Sequence, residues 1–111
     1  MPEHYEVREY LTETGYSPFS VWLDGLRDPR ARARIEARLA RVRLGNLGDY
    51  SPVGDGVQEL RIFYGPGYRV YFAFESSTIV ILLGGGSKAT QRRDIVAAKA
   101  YGDDYRSRDD A

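Results

Sequence analysis

The stretch that decides the fold is residues 57–83, VQELRIFYGPGYRVYFAFESSTIVILL, in which three apolar segments follow one another closely. Residues 57–64 and 68–75 are rich in β-branched and aromatic residues, and the Gly-Pro-Gly at 65–67 between them is typical of a hairpin turn. The continuous apolar run at 78–83 is typical of a central strand that is covered on both faces. Together these segments predict three consecutive strands of a small sheet.

The two faces of the predicted hairpin follow from its register. A three-residue loop at 65–67 places Tyr64 opposite Tyr68 and Arg61 opposite Tyr71. Because side chains alternate between the faces of a strand, every second residue shares a face. The predicted core face consists of Leu60, Ile62, Tyr64, Tyr68, Val70, Phe72 and Phe74, and the other face of Glu59, Arg61, Phe63, Arg69 and Tyr71.

Two helices are predicted before the hairpin. Ser17-Pro18 and Asp28-Pro29 each combine a capping side chain with a proline at the first helical position. The second helix is expected to end near Gly45. Apolar residues at helical spacing follow the two start signals, and they are Phe19, Trp22, Leu23 and Leu26 in the first helix and Ile35, Leu39 and Val42 in the second.

The remaining segments complete an α+β domain that spans all 111 residues. Residues 4–11 alternate in polarity and predict a first strand, whereas residues 45–56 are rich in Gly, Asp and Pro and predict a loop. A last helix is expected to begin at Ser87 or Thr90, and the charged residues 102–111 are expected to fray. The predicted order is β-α-α-β-β-β-α, a small twisted antiparallel sheet with an N-terminal helical hairpin and a C-terminal helix.

The composition limits the possible functions. Sixteen Lys and Arg balance sixteen Asp and Glu, so any binding of a polyanion must rest on a local patch. The chain has no Cys and one His, which argues against disulfides, a Cys nucleophile, a metal site and a serine-hydrolase triad. No apolar run approaches the roughly 20 residues of a membrane span, and no signal peptide opens the chain. We expect a cytoplasmic protein with no cofactor.

A stripe of arginines lies on one face of the second predicted helix. Its members are Arg30, Arg34, Arg38 and Arg41. Such a stripe is most often a solvated helix face, and the alternative is a contact surface for RNA or for an acidic partner segment.

A second group of cations surrounds the hairpin. Arg61 and Arg69 share a predicted face with Tyr71, and this combination suits a phosphate clamp beside an aromatic ring that stacks on a base. Lys88 follows three glycines at 84–86, which are expected to end the preceding strand. That segment lacks the spacing of a nucleotide-triphosphate loop. It is either a tight turn or a place where an anion approaches the backbone.

Two segments, VQELRIFYGPGYRVYF and ILLGGGSKATQRRDIVAAKAYGDDY, resemble the RelE/HigB/ParE superfamily of bacterial toxins, and more narrowly its "addiction module killer protein" branch. The resemblance covers about residues 5–105. It implies a cytoplasmic toxin that a helix-turn-helix antitoxin inactivates, with DNA contacted only through the antitoxin complex. Many members cleave mRNA on the ribosome without a metal, by attack of a 2′-hydroxyl on the adjacent phosphorus.

The resemblance also implies roles for particular residues. Arg61, Arg69 and Lys88 match the positions expected to bind the phosphate and to stabilise charge or transfer a proton. Tyr68, Tyr71 and Arg92 are the positions expected to contact RNA. Two other functions are compatible with the same resemblance, namely a ParE-like inhibitor of DNA gyrase and a degenerate toxin that acts only as a co-repressor with its antitoxin.

Overall fold

The computed structural model describes residues 3–109, and in it a five-stranded sheet carries helices on both faces. The α+β class is confirmed. The elements are β1 (Glu6–Glu9), α1 (Pro18–Gly25), α2 (Pro29–Arg43), β2 (Tyr50–Gly54), β3 (Val57–Ile62), β4 (Tyr68–Phe74), β5 (Ile79–Ser87), a 3₁₀ turn (Lys88–Thr90) and α3 (Gln91–Asp109). None of the helices in this range is long and apolar enough to cross a membrane.

The sheet has one more strand than predicted, and one of its pairings is parallel. Its order is β1-β5-β4-β3-β2, with β1 parallel to β5 and all other neighbours antiparallel. Residues 50–54 were expected to form a loop, but they pair with β3 as an edge strand, where Pro52 is tolerated. The expectation of a wholly antiparallel sheet is therefore wrong at β1.

The hairpin register differs from the prediction by two residues. Ile62 lies opposite Tyr68, so the loop contains the five residues 63–67 and Arg61 lies directly opposite Arg69. A shift of two residues leaves every side chain on its predicted face, because side chains alternate with a period of two. The loop places Phe63 beyond the end of the paired strands.

The three glycines at 84–86 continue β5, contrary to the prediction that they end it. A Cβ at Gly85 would lie 2.3 Å from the ring of Trp22 on α1, and one at Gly86 would lie 1.8 Å from the carboxylate of Asp94 on α3. Both distances are far below van der Waals contact. The glycines are therefore needed because a helix packs closely on each face of this strand.

The predicted helix starts are confirmed. The Ser17 hydroxyl accepts a hydrogen bond from the Ser20 N–H (3.1 Å), and the Asp28 carboxylate accepts one from the Arg30 N–H (2.9 Å). At the other end of the chain, α3 continues to Asp109, where fraying from residue 102 was expected.

The core has two parts, one on each face of the sheet. The face towards α1 and α2 packs Leu60, Ile62, Val70 and Phe72 against residues such as Phe19 and Ile35. The face towards α3 packs Val57, Tyr71, Ala73, Ile81 and Leu83 against residues such as Ala98 and Tyr101.

Candidate functional site

A cleft opens where β3 and β4 extend beyond the N-terminal end of α3. We call it the hairpin cleft, and its volume is about 370 Å³. It is lined by the side chains of Arg61, Phe63, Tyr64, Arg69 and Lys88 together with the loop at residues 65–67. The structure thus brings together the three residues proposed for catalysis, Arg61, Arg69 and Lys88, from β3, β4 and the turn after β5.

A buried carboxylate holds the two arginines. Glu59 is 2% exposed, and its Oε1 accepts a hydrogen bond from Arg69 Nε at 2.8 Å while lying 3.3 Å from Arg61 Nε. Its Oε2 accepts a hydrogen bond from the side-chain amide of Gln91 at 2.9 Å, which ties the start of α3 to the pair. Because these contacts use the Nε groups, the Nη groups of Arg69 remain available to the cleft. From its buried position, the Glu59 carboxylate also offsets part of the positive charge of Arg61 and Arg69.

Arg61 is additionally fixed by the edge strand β2 and the loop before it. Its two Nη atoms donate to Asp49 Oδ1 (2.8 Å) and to the Ser51 hydroxyl (2.7 Å). With Glu59, three partners determine its position, so little conformational entropy is lost when this guanidinium binds a ligand.

Lys88 lies at the rim of the cleft. Its backbone N–H donates to the Gly67 carbonyl at 2.8 Å, which fixes the β5–α3 turn against the hairpin loop. Its side chain is exposed, and in the part of the chain that the structure describes it forms no ion pair. The ammonium group is therefore the cation of the cleft that is least committed to the protein itself.

The predicted RNA-contacting residues lie outside this arrangement. Tyr71 is fully buried in the core beneath α3, so neither face of its ring can stack on a base, and this part of the prediction is corrected. Its hydroxyl has no hydrogen-bond partner among residues 3–109, and burial and then the nearby Glu59 raise the pKa of Tyr71. Tyr68 is also buried and packs against Trp22, with the ring centroids 6.2 Å apart. Arg92 is exposed on α3, but it does not line the cleft.

A second cleft lies between the same hairpin and α2. This helix cleft has a volume of about 310 Å³ and shares Arg61, Ile62, Phe63 and Tyr64 with the hairpin cleft. Its other walls are Arg34, Arg38, Arg41, Gly48 and Asp49.

The arginine stripe on α2 is not uniformly solvated. Arg38 is 6% exposed, and its guanidinium donates to the carbonyl of Leu47 at 2.6 Å. Arg34 lies over the ring of Tyr64, with 5.1 Å between the guanidinium carbon and the ring centroid. Arg30 and Arg41 are exposed. The solvated-face interpretation is thus wrong for Arg38, which fastens the loop before β2.

Phe63 is an exposed aromatic residue on the face that the sequence assigned to Arg61 and Arg69, but it was not among the residues predicted to contact RNA. Its side chain is 78% exposed, and it stands where the two clefts meet. The predicted register treated it as one paired position among others. The signal that could have identified it is the Gly-Pro-Gly that follows, because a longer loop excludes Phe63 from the strand and leaves its ring without a neighbour.

Comparison with known proteins identifies a relative, although no family model matches the chain. A protein of Haemophilus influenzae, described as uncharacterized, is 51% identical over 81 residues, which cover 73% of this chain and 82% of that protein. The chain belongs to the family of this Haemophilus protein.

The chemistry that suits the two clefts is the binding of an anion. Guanidinium groups line both clefts, the Lys88 ammonium lines the hairpin cleft, and the nearby carboxylates of Glu59 and Asp49 are paired with arginines. Within residues 3–109, no three His, Asp or Glu side chains come together as a metal site. Fixed guanidinium groups suit a phosphodiester, because both Nη groups of Arg69 can offer parallel N–H donors to its oxygens and each Nη of Arg61 keeps one N–H besides its bond to Asp49 or Ser51.

Proposed function

We propose that the protein is the toxin of a toxin–antitoxin pair and that it cleaves mRNA on the ribosome by metal-independent transesterification. The observation that carries this proposal is the convergence of Arg61, Arg69 and Lys88 on one cleft. These residues come from three separate segments of the sequence, and they are the positions for which the toxin resemblance implies catalysis.

In the proposed reaction, Arg61 and Arg69 bind the non-bridging oxygens of the scissile phosphate. The substrate's 2′-oxygen forms a bond to phosphorus, its proton passes to water, and the bond from phosphorus to the 5′-oxygen breaks. Lys88 donates a proton to that leaving oxygen. The products are a 2′,3′-cyclic phosphate and a 5′-hydroxyl. Fixed positive charge accelerates such a step because it stabilises the extra negative charge of the transition state more than that of the ground state.

The charge balance supports a substrate that is presented by the ribosome. A chain of zero net charge gains little from long-range attraction to RNA, so free mRNA is a poor substrate. The proposed setting is therefore the cytoplasm. The proposed protein partner is a helix-turn-helix antitoxin, and any contact with DNA is made through that complex.

The test is cell-free translation of a defined mRNA, with the cuts mapped by primer extension. We expect ribosome-dependent cuts from the wild type and a reduction of about 10²- to 10³-fold in Lys88→Ala, the effect typical of removing one charge-stabilising group. Lys99→Ala is the matched control, since Lys99 lies on α3 beside Asp55 (3.6 Å) and away from the cleft.

Three results would contradict the proposal. Intact mRNA from folded wild-type protein excludes the nuclease activity and favours a gyrase inhibitor or a co-repressor. Cuts that occur equally without ribosomes exclude ribosome dependence. Equal losses in Lys88→Ala and Lys99→Ala exclude a specific role for Lys88.

A further inference from the structure

We propose that Phe63 and the helix cleft form a subsite for single-stranded RNA, in which one base stacks on the Phe63 ring and the adjoining phosphate lies between Arg34 and Arg41. This proposal rests on the proposed function for the class of substrate. It assigns base stacking to a residue other than Tyr68 and Tyr71, and it gives the helix cleft a role in binding.

The loop presents Phe63 in a fixed position. The Tyr64 N–H donates to the Ile62 carbonyl (3.1 Å) and the Gly67 N–H to the Tyr64 carbonyl (3.0 Å), so both sides of the loop are closed by hydrogen bonds. The Tyr64 hydroxyl also donates to Asp28 at the start of α2 (3.2 Å). An apolar ring that is 78% exposed on such a tethered loop is available to a ligand without a large cost of ordering.

Positive charge lies on both sides of this ring. The hairpin cleft contributes Arg69 and Lys88 on one side, and the helix cleft contributes Arg34 and Arg41 on the other. Arg61 lines both clefts. In a chain whose charges sum to zero, this distribution places cations on both sides of an aromatic ring, and Asp49, which also lines the helix cleft, is paired with Arg61.

The arginines of the helix cleft differ in how many contacts they make within the protein. Arg38 donates to main-chain carbonyls and is buried, so it contributes charge but not direct contact. Arg34 is steadied by the Tyr64 ring. Within residues 3–109, neither Arg34 nor Arg41 forms an ion pair, which leaves both guanidinium groups free for a phosphate.

Single-stranded nucleic acid fits this surface better than a protein segment does. Along a single strand, phosphates alternate with flat bases, and proteins that bind it combine a cationic groove with aromatic rings on which bases stack. An acidic peptide would use the cations but has no repeating flat group for Phe63. Along the two clefts, cations lie on either side of the Phe63 ring. This arrangement matches a single strand, in which phosphates lie on either side of a base.

The test measures binding of a fluorescently labelled 2′-O-methyl oligoribonucleotide by anisotropy at low ionic strength. This probe cannot be cleaved, because its 2′-oxygens are capped. We expect Phe63→Ala to weaken binding by about 5- to 150-fold, the range for loss of one stacked base. Phe63→Trp should restore wild-type binding within about 3-fold, since a larger ring also stacks. Val96→Ala, an exposed apolar residue on α3, is the control and should bind as the wild type does.

The salt dependence tests the phosphate contact separately. Arg34 and Arg41 share one phosphate, so the double variant Arg34→Ala/Arg41→Ala should reduce the slope of log affinity against log salt by about 0.7, the value for one phosphate on a single strand, and each single variant by less. Arg30→Ala removes an exposed arginine of the same stripe that does not line the cleft, and it should leave the slope unchanged.

The subsite is disproved if the wild type does not bind the oligonucleotide, if Phe63→Ala binds as tightly as the wild type, or if Phe63→Trp fails to restore binding. Binding that depends on Phe63 together with intact mRNA in cell-free translation refutes the proposed cleavage but supports the subsite. Ribosome-dependent cleavage with binding that is indifferent to Phe63 supports the cleavage and refutes the subsite. Unchanged RNA binding with weaker capture of an acidic peptide by Phe63→Ala assigns this surface to a protein partner.

Discussion

The two faces of the β3–β4 hairpin carry out different tasks with the same backbone. On the face towards α1 and α2, Leu60, Ile62, Val70 and Phe72 are all buried and apolar. On the opposite face, Val57, Tyr71 and Ala73 lie beneath α3, whereas Arg61 and Arg69 lie beyond the end of this helix. Between Leu60 and Ile62 and between Tyr68 and Phe72, one face is therefore core, whereas the other changes from core to cleft along its length.

The difference between the two faces shows where a binding cleft can form in so small a domain. A helix that covered the whole second face would bury Arg61 and Arg69, and the cost of desolvating two charges would be prohibitive. Glu59 and Gln91 form the border between the two parts of this face. Gln91 at the start of α3 donates to the buried Glu59, and Glu59 contacts the arginines of the cleft. The cleft is the part of the sheet that α3 leaves uncovered.

The strongest test of this comparison is Leu60→Ala on the apolar face. Leu60 is 1% exposed, and its truncation should lower the free energy of unfolding by about 2–5 kcal/mol, from lost burial and the cavity left behind. Urea denaturation measures this change. Any protein that remains folded should bind the 2′-O-methyl oligonucleotide normally, and specific loss of binding in folded Leu60→Ala would show that the two faces are not independent.

Glu59→Gln tests the border between core and cleft. The amide keeps the size of the side chain but removes the charge that two guanidinium groups contact, so we expect a loss of about 1.5–3 kcal/mol in the free energy of unfolding. Cleavage should fall at least about 10-fold, because Arg69 loses its orienting partner. Asp49→Asn, which affects only Arg61, serves as the control and should have the smaller effect on cleavage.

Gly85→Ala and Gly86→Ala form a matched pair on one strand. Each should cost about 1–3 kcal/mol, because a methyl group would collide with Trp22 in the first case and with Asp94 in the second. Only Gly86→Ala should also reduce cleavage, since Asp94 accepts a hydrogen bond from Thr90 in the turn that carries Lys88. Equal effects of the two variants on cleavage, measured at matched folded fractions, would contradict the division between the faces.

The smallest effect is expected at Tyr10, on the α3 side and far from the cleft. Its hydroxyl donates to Asp104 at 2.5 Å, and burial followed by this bond raises the pKa of Tyr10 to about 12. The same bond lowers the pKa of Asp104. Tyr10→Phe should cost about 1 kcal/mol of stability near pH 7 with unchanged cleavage.

The pH dependence of that cost follows from the two shifts. Because the pKa of Tyr10 is raised, the contribution of its hydrogen bond with Asp104 to the free energy of unfolding is complete below pH 10.0 and is lost as the pH rises towards about 12. A lowered aspartate pKa means that it is present above pH 3.8 and is lost as the pH falls below this value. Denaturation curves of wild type and Tyr10→Phe should therefore differ most between these limits, and a difference that is constant from pH 3 to pH 12 would contradict the assignment.

Local signals predicted the helices and the faces of the hairpin. Capping residues and prolines determine where α1 and α2 begin, because the physics of a helix N-terminus involves only neighbouring residues. The faces of β3 and β4 survived an error of two residues in register for a similar reason, since alternation depends on parity alone. This is why Arg61 and Arg69 were predicted to share a face, as they do in the structure.

Features that depend on distant parts of the chain could not be predicted in this way. The parallel pairing of β1 with β5 joins Glu6 to Ile79, and no local pattern specifies it. The burial of Tyr71 follows from the position of α3, which is set by the close packing of Asp94 on Gly86. Tyr71 and Phe63 were expected on the same open face, but α3 covers Tyr71 and leaves Phe63 exposed, because a sequence shows that a face exists but not which part of it a helix will cover.

The central position of β5 has a consequence for how the protein is made. β5 lies between β1 and β4, and both parts of the core use its side chains, so neither can be completed before residue 87 has been synthesised. An isolated hairpin of β3 and β4 is at best marginally stable. A growing chain therefore carries Arg61 and Arg69 in an unassembled form, and the segment that closes the sheet also delivers Lys88. Folding of the sheet and assembly of the cationic cleft therefore both wait for the synthesis of β5 and Lys88.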